Sequence, residues 1–261
     1  MAGHETADIV FCIDASGSMA PAFEGVKNHI VTLLKTLDAS GLQTKWDVRF
    51  DFLAYRNLED IMWIESMNKV GKDCLNAIYG SNSPNGSSSS SGFFTRDINT
   101  FKDRLDTIEC VADEASLFAL DIAADFPFRP SNACHRVVVF LTDEPIDAGV
   151  NVEDGKNKLM ELANKYQDKR IMLFMVTPDC STFDTLSQID RCEWTIDSSD
   201  GLTGIDFNKL MESIGKSVSV SQSVGIGLNE AKPLYNETNW TVLGDDECWC
   251  DCLKDGLNIY V

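Results

Sequence analysis

The stretch that decides the fold is DIVFCIDASGS, residues 8–18. Its first six residues form a short, largely apolar run, which is typical of a strand buried on both faces. The run ends in Asp14, Ser16 and Ser18, and a helical pattern follows. Residues two apart in an extended segment project to the same side, so these three side chains are predicted to converge. Gly17 has no Cβ and is predicted to let the loop bend tightly between the two serines.

Further along the chain, short apolar runs alternate with helical patterns. Strands are predicted at 8–13, 46–55, 136–141, 171–176 and 193–196, with a shorter strand at 61–65 in a hairpin with the second. Helices are predicted at 21–37, 101–108, 114–124, 154–167 and 207–218. This order predicts an α/β fold with a doubly wound, mostly parallel sheet, helices on both faces and one short antiparallel edge strand.

A second group of oxygen ligands follows the run RVVVFL, which is the clearest central strand of the chain. Thr142 and Asp143 come directly after it. Parallel sheets bind ligands beyond the carboxyl ends of their strands, so Asp143 is expected on the same rim as Asp14. Carboxylate and hydroxyl oxygens suit a hard cation such as Mg²⁺ or Mn²⁺. The competing interpretation is that Asp14 and the serines cap the following helix, but capping does not require ligands from two strand ends.

These two segments resemble a known family. The DASGS sequence at 14–18 is similar to the DxSxS metal-ion-dependent adhesion site of von Willebrand factor A (vWA) domains. The run VVVFLTDEP at 137–145 is similar to the central strand and third metal loop of that family. The resemblance extends over residues 7–218 in the order of strands and helices, and it implies a Rossmann-like vWA fold. It also implies which residues hold a divalent metal: Asp14, Ser16 and Ser18 directly, and Asp143 through water.

The chain departs from the family at the second metal loop. The family supplies a threonine there, whereas residues 110–115 read CVADEA, and Asp113 is the best candidate ligand. An added carboxylate binds the cation more tightly but partly satisfies its charge. We therefore expect firm metal retention and a weaker pull on an acidic ligand than in integrin-type I domains. The expected metal is Mg²⁺, with Mn²⁺ or Ca²⁺ as alternatives.

Composition narrows the range of partners. The 261 residues include 41 acidic and 22 basic residues, and the net charge of −19 disfavours nucleic acid and anionic membranes as main partners. The first residues show no secretory signal pattern, and no apolar stretch approaches the length of a membrane span. Nine cysteines is an odd number, and Cys12 falls in a predicted core strand. Together these features predict a protein of the reducing cytoplasm.

Two regions differ in composition from the rest of the chain. Residues 81–92 (SNSPNGSSSSSG) are predicted to form a surface insertion within a vWA domain spanning 1–221. Residues 222–261 contain several apolar clusters and are predicted to pack against the domain or a partner. Within them, CWCDC offers thiols that a soft metal such as zinc would bind, but the usual C-x2-C spacing is absent. Buried, inert thiols are the preferred interpretation for these three cysteines, Cys248, Cys250 and Cys252.

The sequence gives little indication of catalytic residues. His4, His29 and His135 are not placed to serve a nucleophile, and His135 precedes the central strand at the end opposite the metal loops. Neither GxxxxGK[ST] nor GxGxxG occurs. We predict a non-enzymatic, metal-dependent protein–protein interaction domain that binds an Asp or Glu side chain, or a C-terminal carboxylate, within an intracellular multiprotein assembly. The alternatives are a metal-dependent hydrolase or phosphatase that uses the same carboxylates, and a scaffold with a purely structural metal.

Overall fold

The computed structural model describes residues 5–38, 46–55, 93–106, 108–110, 116–131, 134–145 and 152–223. Within these ranges, strands and helices alternate. In chain order they are β1 (Glu5–Asp14), α1 (Ala20–Asp38), β2 (Trp46–Tyr55), α2 (Ile98–Leu105), α3 (Ser116–Ala124), β3 (His135–Leu141), α4 (Val152–Asp168), β4 (Ile171–Thr177), α5 (Asp184–Ser187), β5 (Cys192–Ile196) and α6 (Phe207–Ser223). Short 3₁₀ turns occur at Gly17–Met19, Ser181–Phe183 and Asp200–Leu202.

The five described strands form one parallel sheet in the order β2-β1-β3-β4-β5. This confirms the predicted α/β fold with a mostly parallel sheet. The predicted antiparallel edge strand is not found in the described part of the chain, where β5 forms the edge and runs parallel to β4. Antiparallel pairing is confined there to a single bridge between Phe50 and Thr95. The predicted hairpin strand at 61–65 and the insertion at 81–92 lie outside the described residues.

Helices cover both faces of the sheet, and each face has its own apolar core. On one face, Ile9, Phe11 and Ile13 of β1 pack with α1, α2 and α6. On the other face, Val10 and Cys12 pack with α3, α4 and α5. Successive residues of a strand point to opposite faces, so a continuous apolar run such as β1 fills both cores. The burial of β1 on both sides fixes its carboxyl end in the middle of the sheet.

The helix boundaries differ from the predicted ones mainly in α2 and at the end of α6, which runs to Ser223 rather than to residue 218. Helix α2 runs from Ile98 to Leu105, whereas the sequence pattern predicts 101–108. The reason is a cap that the apolar pattern does not reveal: the Asp97 carboxylate accepts a hydrogen bond of 2.9 Å from the backbone N–H of Asn99. None of the helices in the described ranges combines the length and the apolar character that crossing a bilayer requires.

Candidate metal site

Asp14 is the last residue of β1, and its side chain is completely buried. The backbone N–H of Ser16 donates to Asp14 Oδ1 at 2.7 Å, and the Thr142 hydroxyl donates to Asp14 Oδ2 at 2.9 Å. Burial raises the pKa of Asp14 from 3.8 to about 7; hydrogen bonds from the Ser16 backbone and from the Thr142 and Ser16 hydroxyls oppose this rise, and the negative charge of Asp143 adds to it. No positive charge from the described residues therefore offsets the burial of this carboxylate.

The other end of the same strand shows how the chain neutralises a buried carboxylate when it supplies the charge itself. Asp8 is also completely buried. Burial would raise the pKa of Asp8, but hydrogen bonds from Arg49 and Arg129 outweigh it and hold this pKa below its ordinary value. Both guanidinium groups bind the carboxylate at 2.6 to 2.9 Å. No arginine of the described residues binds Asp14 in this way, so a cation from solution would suit its environment.

Ser16 and Ser18 lie in the turn between β1 and α1. Their hydroxyl oxygens are 3.3 Å apart, and the Ser16 backbone is extended. The Ser16 side chain makes no capping hydrogen bond to the turn that follows. The helix-capping interpretation therefore finds no support at Ser16, whose hydroxyl instead lies beside the Ser18 hydroxyl and the Asp14 carboxylate.

Asp143 follows β3 and lies on the same rim. The backbone N–H of Gly201 donates to Asp143 Oδ2 at 2.5 Å. The other oxygen, Oδ1, is buried and has no hydrogen-bond partner among the described residues. A buried carboxylate oxygen without a partner is costly, and a bound cation or its water ligand would satisfy it.

Gly201 connects the loop after β5 with the metal turn. Its φ of +64° lies in the left-handed region, and a Cβ at this position would collide with the Ser18 carbonyl oxygen. A glycine is therefore required here so that the loop can approach both Ser18 and Asp143. The expectation for Gly17 was wrong: its φ is not positive, and a Cβ there would meet no atom within 4 Å.

Four of the five residues predicted as metal ligands come together at this edge: Asp14, Ser16, Ser18 and Asp143. Their role as ligands stays a prediction. The fifth, Asp113, lies outside the described residues. The first described residue after it is Ser116, which begins α3 and is completely buried, with its hydroxyl oxygen 3.4 Å from the Tyr55 hydroxyl.

Sequence reasoning missed two residues that hold this site. Thr142 joins the ends of β1 and β3 through its hydrogen bond to Asp14, and its hydroxyl also accepts from the backbone N–H of Glu144 at 3.2 Å. A threonine directly after a buried strand, on the same rim as Asp14, was a usable signal. Gly201 acts through its backbone, and nothing in the sequence indicated that its N–H faces Asp143.

The described donors fit a hard divalent cation. They are carboxylate and hydroxyl oxygens, which Mg²⁺ and Ca²⁺ prefer. No cluster of three or more His, Cys, Asp or Glu side chains occurs in the described ranges. Among the described residues, a cation held by Asp14 and Asp143 would therefore need the serine hydroxyls as further ligands. A cation bound here would offset the burial of the Asp14 carboxylate and satisfy Asp143 Oδ1 directly or through water.

The parallel sheet and the loops that follow β1 and β3 define the fold of a vWA domain. The chain is similar in structure to a von Willebrand factor type A protein from Catenulispora acidiphila, with a TM-score of 0.54 and 13% sequence identity. That similarity covers 82% of this chain and 43% of the other. The chain is also similar to proximal thread matrix protein 1 of the mussel byssus, with a TM-score of 0.51 and 13% identity over 84% of this chain and 48% of the other.

The likeness to these proteins is one of fold. This chain spans less than half the length of either. No protein-family model matches the sequence, and a search of curated proteins gives no match.

Proposed function

We propose that this chain is a metal-dependent interaction domain that binds an acidic group of a partner protein through a divalent cation. One observation carries the proposal. At the carboxyl edge of the sheet, the buried Asp14 carboxylate has no cationic partner among the described residues, and the Asp143 carboxylate beside it has a buried oxygen without a hydrogen-bond partner.

The roles of the individual residues follow from their contacts. Asp14, Ser16 and Ser18 would hold the cation, and Asp143 would act through water, with Asp113 as a further candidate. Thr142 fixes the orientation of the Asp14 carboxylate, and the Gly201 N–H fixes that of Asp143. When bound, Mg²⁺ supplies a positive centre that accepts an oxygen ligand from outside the domain.

The charge of the chain makes this cation decisive. A protein with a net charge of −19 repels an acidic partner in the absence of metal. The cation reverses that repulsion at one point on the surface. An Asp or Glu side chain, or a C-terminal carboxylate, is the ligand of matching chemistry, and its binding should disappear when a chelator removes the metal.

We also propose that the domain is non-enzymatic and works inside the cell as a subunit of a multiprotein assembly. His135 begins β3 and therefore lies at the end of the sheet opposite Asp14. Cys12 and Cys134 are buried thiols rather than half-cystines, which fits a reducing compartment.

Calorimetric titration with Mg²⁺ tests the metal site. We expect one site in the wild-type protein and none in Asp14→Ala, while Glu161→Ala, which removes an exposed carboxylate on α4, binds as the wild type does. Retention of Mg²⁺ by Asp14→Ala would refute the assignment.

Two further measurements separate the proposed function from its alternatives. An immobilised peptide that ends in a free carboxylate should be retained with Mg²⁺ and released by EDTA. Binding that survives both EDTA and Asp14→Ala would identify a scaffold. Turnover of a phosphate ester that Asp14→Ala abolishes would identify a hydrolase.

A further inference from the structure

A cleft of about 370 Å³ lies between the beginning of β5 and the last turns of α6. Met172, Arg191 and Cys192 line it from the sheet, and Val220 lines it from the helix. The strands are parallel, so this cleft lies at the end of the sheet opposite the metal loops. Val220 is 57% exposed and is one of two large apolar side chains that are exposed in the described part of the chain. The other, Ile196, lies at the far end of β5.

Among the described residues, two guanidinium groups near the cleft form no ion pair, and Asp190 is the one carboxylate whose charge acts on Arg191. The carboxylate of Asp190 accepts a hydrogen bond from Gln167 at 2.7 Å, and that of Glu193 is bound by the hydroxyls of Ser213 and Ser217. In contrast, neither Arg170 nor Arg191 forms an ion pair within the described ranges. Burial and the neighbouring charge of Arg170 lower the pKa of Arg191, and the charge of Asp190 only partly opposes them. The repulsion between these two guanidinium groups favours a negative group beside them.

The chain itself supplies a segment of suitable composition. Helix α6 ends at Ser223, and residues 224–261 follow it directly. About half of these residues are apolar, and Trp240 and Trp249 are the largest of them. The segment contains only two basic residues, Lys232 and Lys254. Its seven acidic residues are Glu230, Glu237, Asp245, Asp246, Glu247, Asp251 and Asp255.

We propose that residues 224–261 of the same chain occupy the cleft between β5 and α6. Their apolar side chains cover the exposed Val220, and their carboxylates pair with Arg170 and Arg191. The segment starts four residues after Val220, so the entropic cost of closing a loop between segment and cleft is small. A covalently attached segment also reaches a far higher effective concentration than a separate partner of equal affinity. The metal loops at the opposite end of the sheet stay open to a partner.

Limited proteolysis of the full chain tests this placement. Chymotrypsin cuts after exposed aromatic residues, so its rate at Trp240 and Trp249 reports whether the segment is held. We expect Val220→Asp and Arg191→Glu each to accelerate cleavage at these sites about tenfold or more. Ile196→Asp adds the same charge at an equally exposed apolar side chain on the far end of β5, and it should leave the rate within about twofold of wild type. Equal rates in all four proteins would overturn the proposal.

A photo-reactive residue in place of Val220 gives a second measurement that does not depend on tolerance of the aspartate. Irradiation should produce intramolecular cross-links to residues 224–261, with a yield that is independent of protein concentration. Cross-linked dimers whose yield rises with concentration would instead show that a second copy occupies the cleft. The absence of any cross-link to the segment would also refute the proposal.

Discussion

Replacing Asp14 by asparagine tests whether the buried carboxylate depends on a cation. Asparagine has nearly the same shape, and its side-chain oxygen can still accept the hydrogen bond from the Ser16 backbone N–H. Its amide nitrogen can donate to the Thr142 hydroxyl oxygen, which turns its own proton away. The substitution therefore removes the negative charge and leaves the packing and the hydrogen-bonded groups in place.

The expected magnitude follows from the pKa of Asp14, which burial raises from 3.8 to about 7. One pKa unit corresponds to about 1.4 kcal/mol, so ionised Asp14 lowers the free energy of unfolding of the metal-free protein by on the order of 4 kcal/mol. Between pH 3.8 and about 7 the native state binds the proton more tightly than the unfolded state does. The wild-type protein therefore loses stability as the pH rises through this window, and the loss is complete above the folded-state pKa.

Thermal unfolding in EDTA, measured from about pH 4 to pH 8, is the assay. Asp14→Asn should match the wild type at the acidic end and exceed it at the alkaline end by up to roughly 8 to 16 °C in Tm, because 1 kcal/mol corresponds to roughly 2 to 4 °C in a domain of this size. With saturating Mg²⁺ the difference in Tm between Asp14→Asn and the wild type should shrink or change sign, because the ligand stabilises only the protein that binds it. A variant that is less stable than the wild type in EDTA at pH 8 would refute the reasoning.

Two other variants probe different parts of the domain. Burial, together with the charge of Arg191, lowers the pKa of His135 from 6.5 to about 4, so the neutral ring contributes stability that is lost as the pH falls from 6.5 towards 4. His135→Phe keeps a ring against Trp46 and should reduce this acid-induced loss of stability. The loss amounts to up to about 3 kcal/mol between pH 7 and pH 4, and urea unfolding at the two pH values measures it. An unchanged dependence of stability on pH in the variant would contradict this prediction. Gly201→Ala should weaken Mg²⁺ affinity about tenfold or more in calorimetry, because a Cβ would collide with the Ser18 carbonyl oxygen, whereas Gly17→Ala should leave the fold stable. Equal effects of the two glycine substitutions on unfolding would argue against this account.

The layers of the fold could be predicted from the sequence because a buried strand is visible as a run of apolar residues. The apolar runs at β1, β3 and β4 are continuous, since both faces of each strand are covered, and such runs are diagnostic of a parallel sheet. The start of α2 was placed wrongly because its cap is a single hydrogen bond from Asp97 and not a repeating pattern. The predicted antiparallel strand at 61–65 lies outside the described residues and stays a prediction.

The candidate site also has a part that the sequence predicts and a part that it does not. Side chains that follow a recognisable strand could be assigned to the rim, as Asp14 and Asp143 were. Gly201 comes from a loop 58 residues beyond Asp143, and it contributes a backbone N–H in a left-handed conformation. Such a contact depends on the tertiary fold, and no residue type or spacing encodes it.

The position of β1 in the sheet affects how the chain is made. Strand β1 pairs with β2 on one side and with β3 on the other, so its second neighbour ends at Leu141, more than a hundred residues later in the chain. Synthesis proceeds at about 5 to 20 residues per second, so the apolar stretch of β1 stays without its second neighbour for at least several seconds. Slow pairing of this kind leaves aggregation-prone intermediates with exposed apolar surface. The nascent chain should therefore depend on chaperones more strongly than the stability of the folded domain suggests.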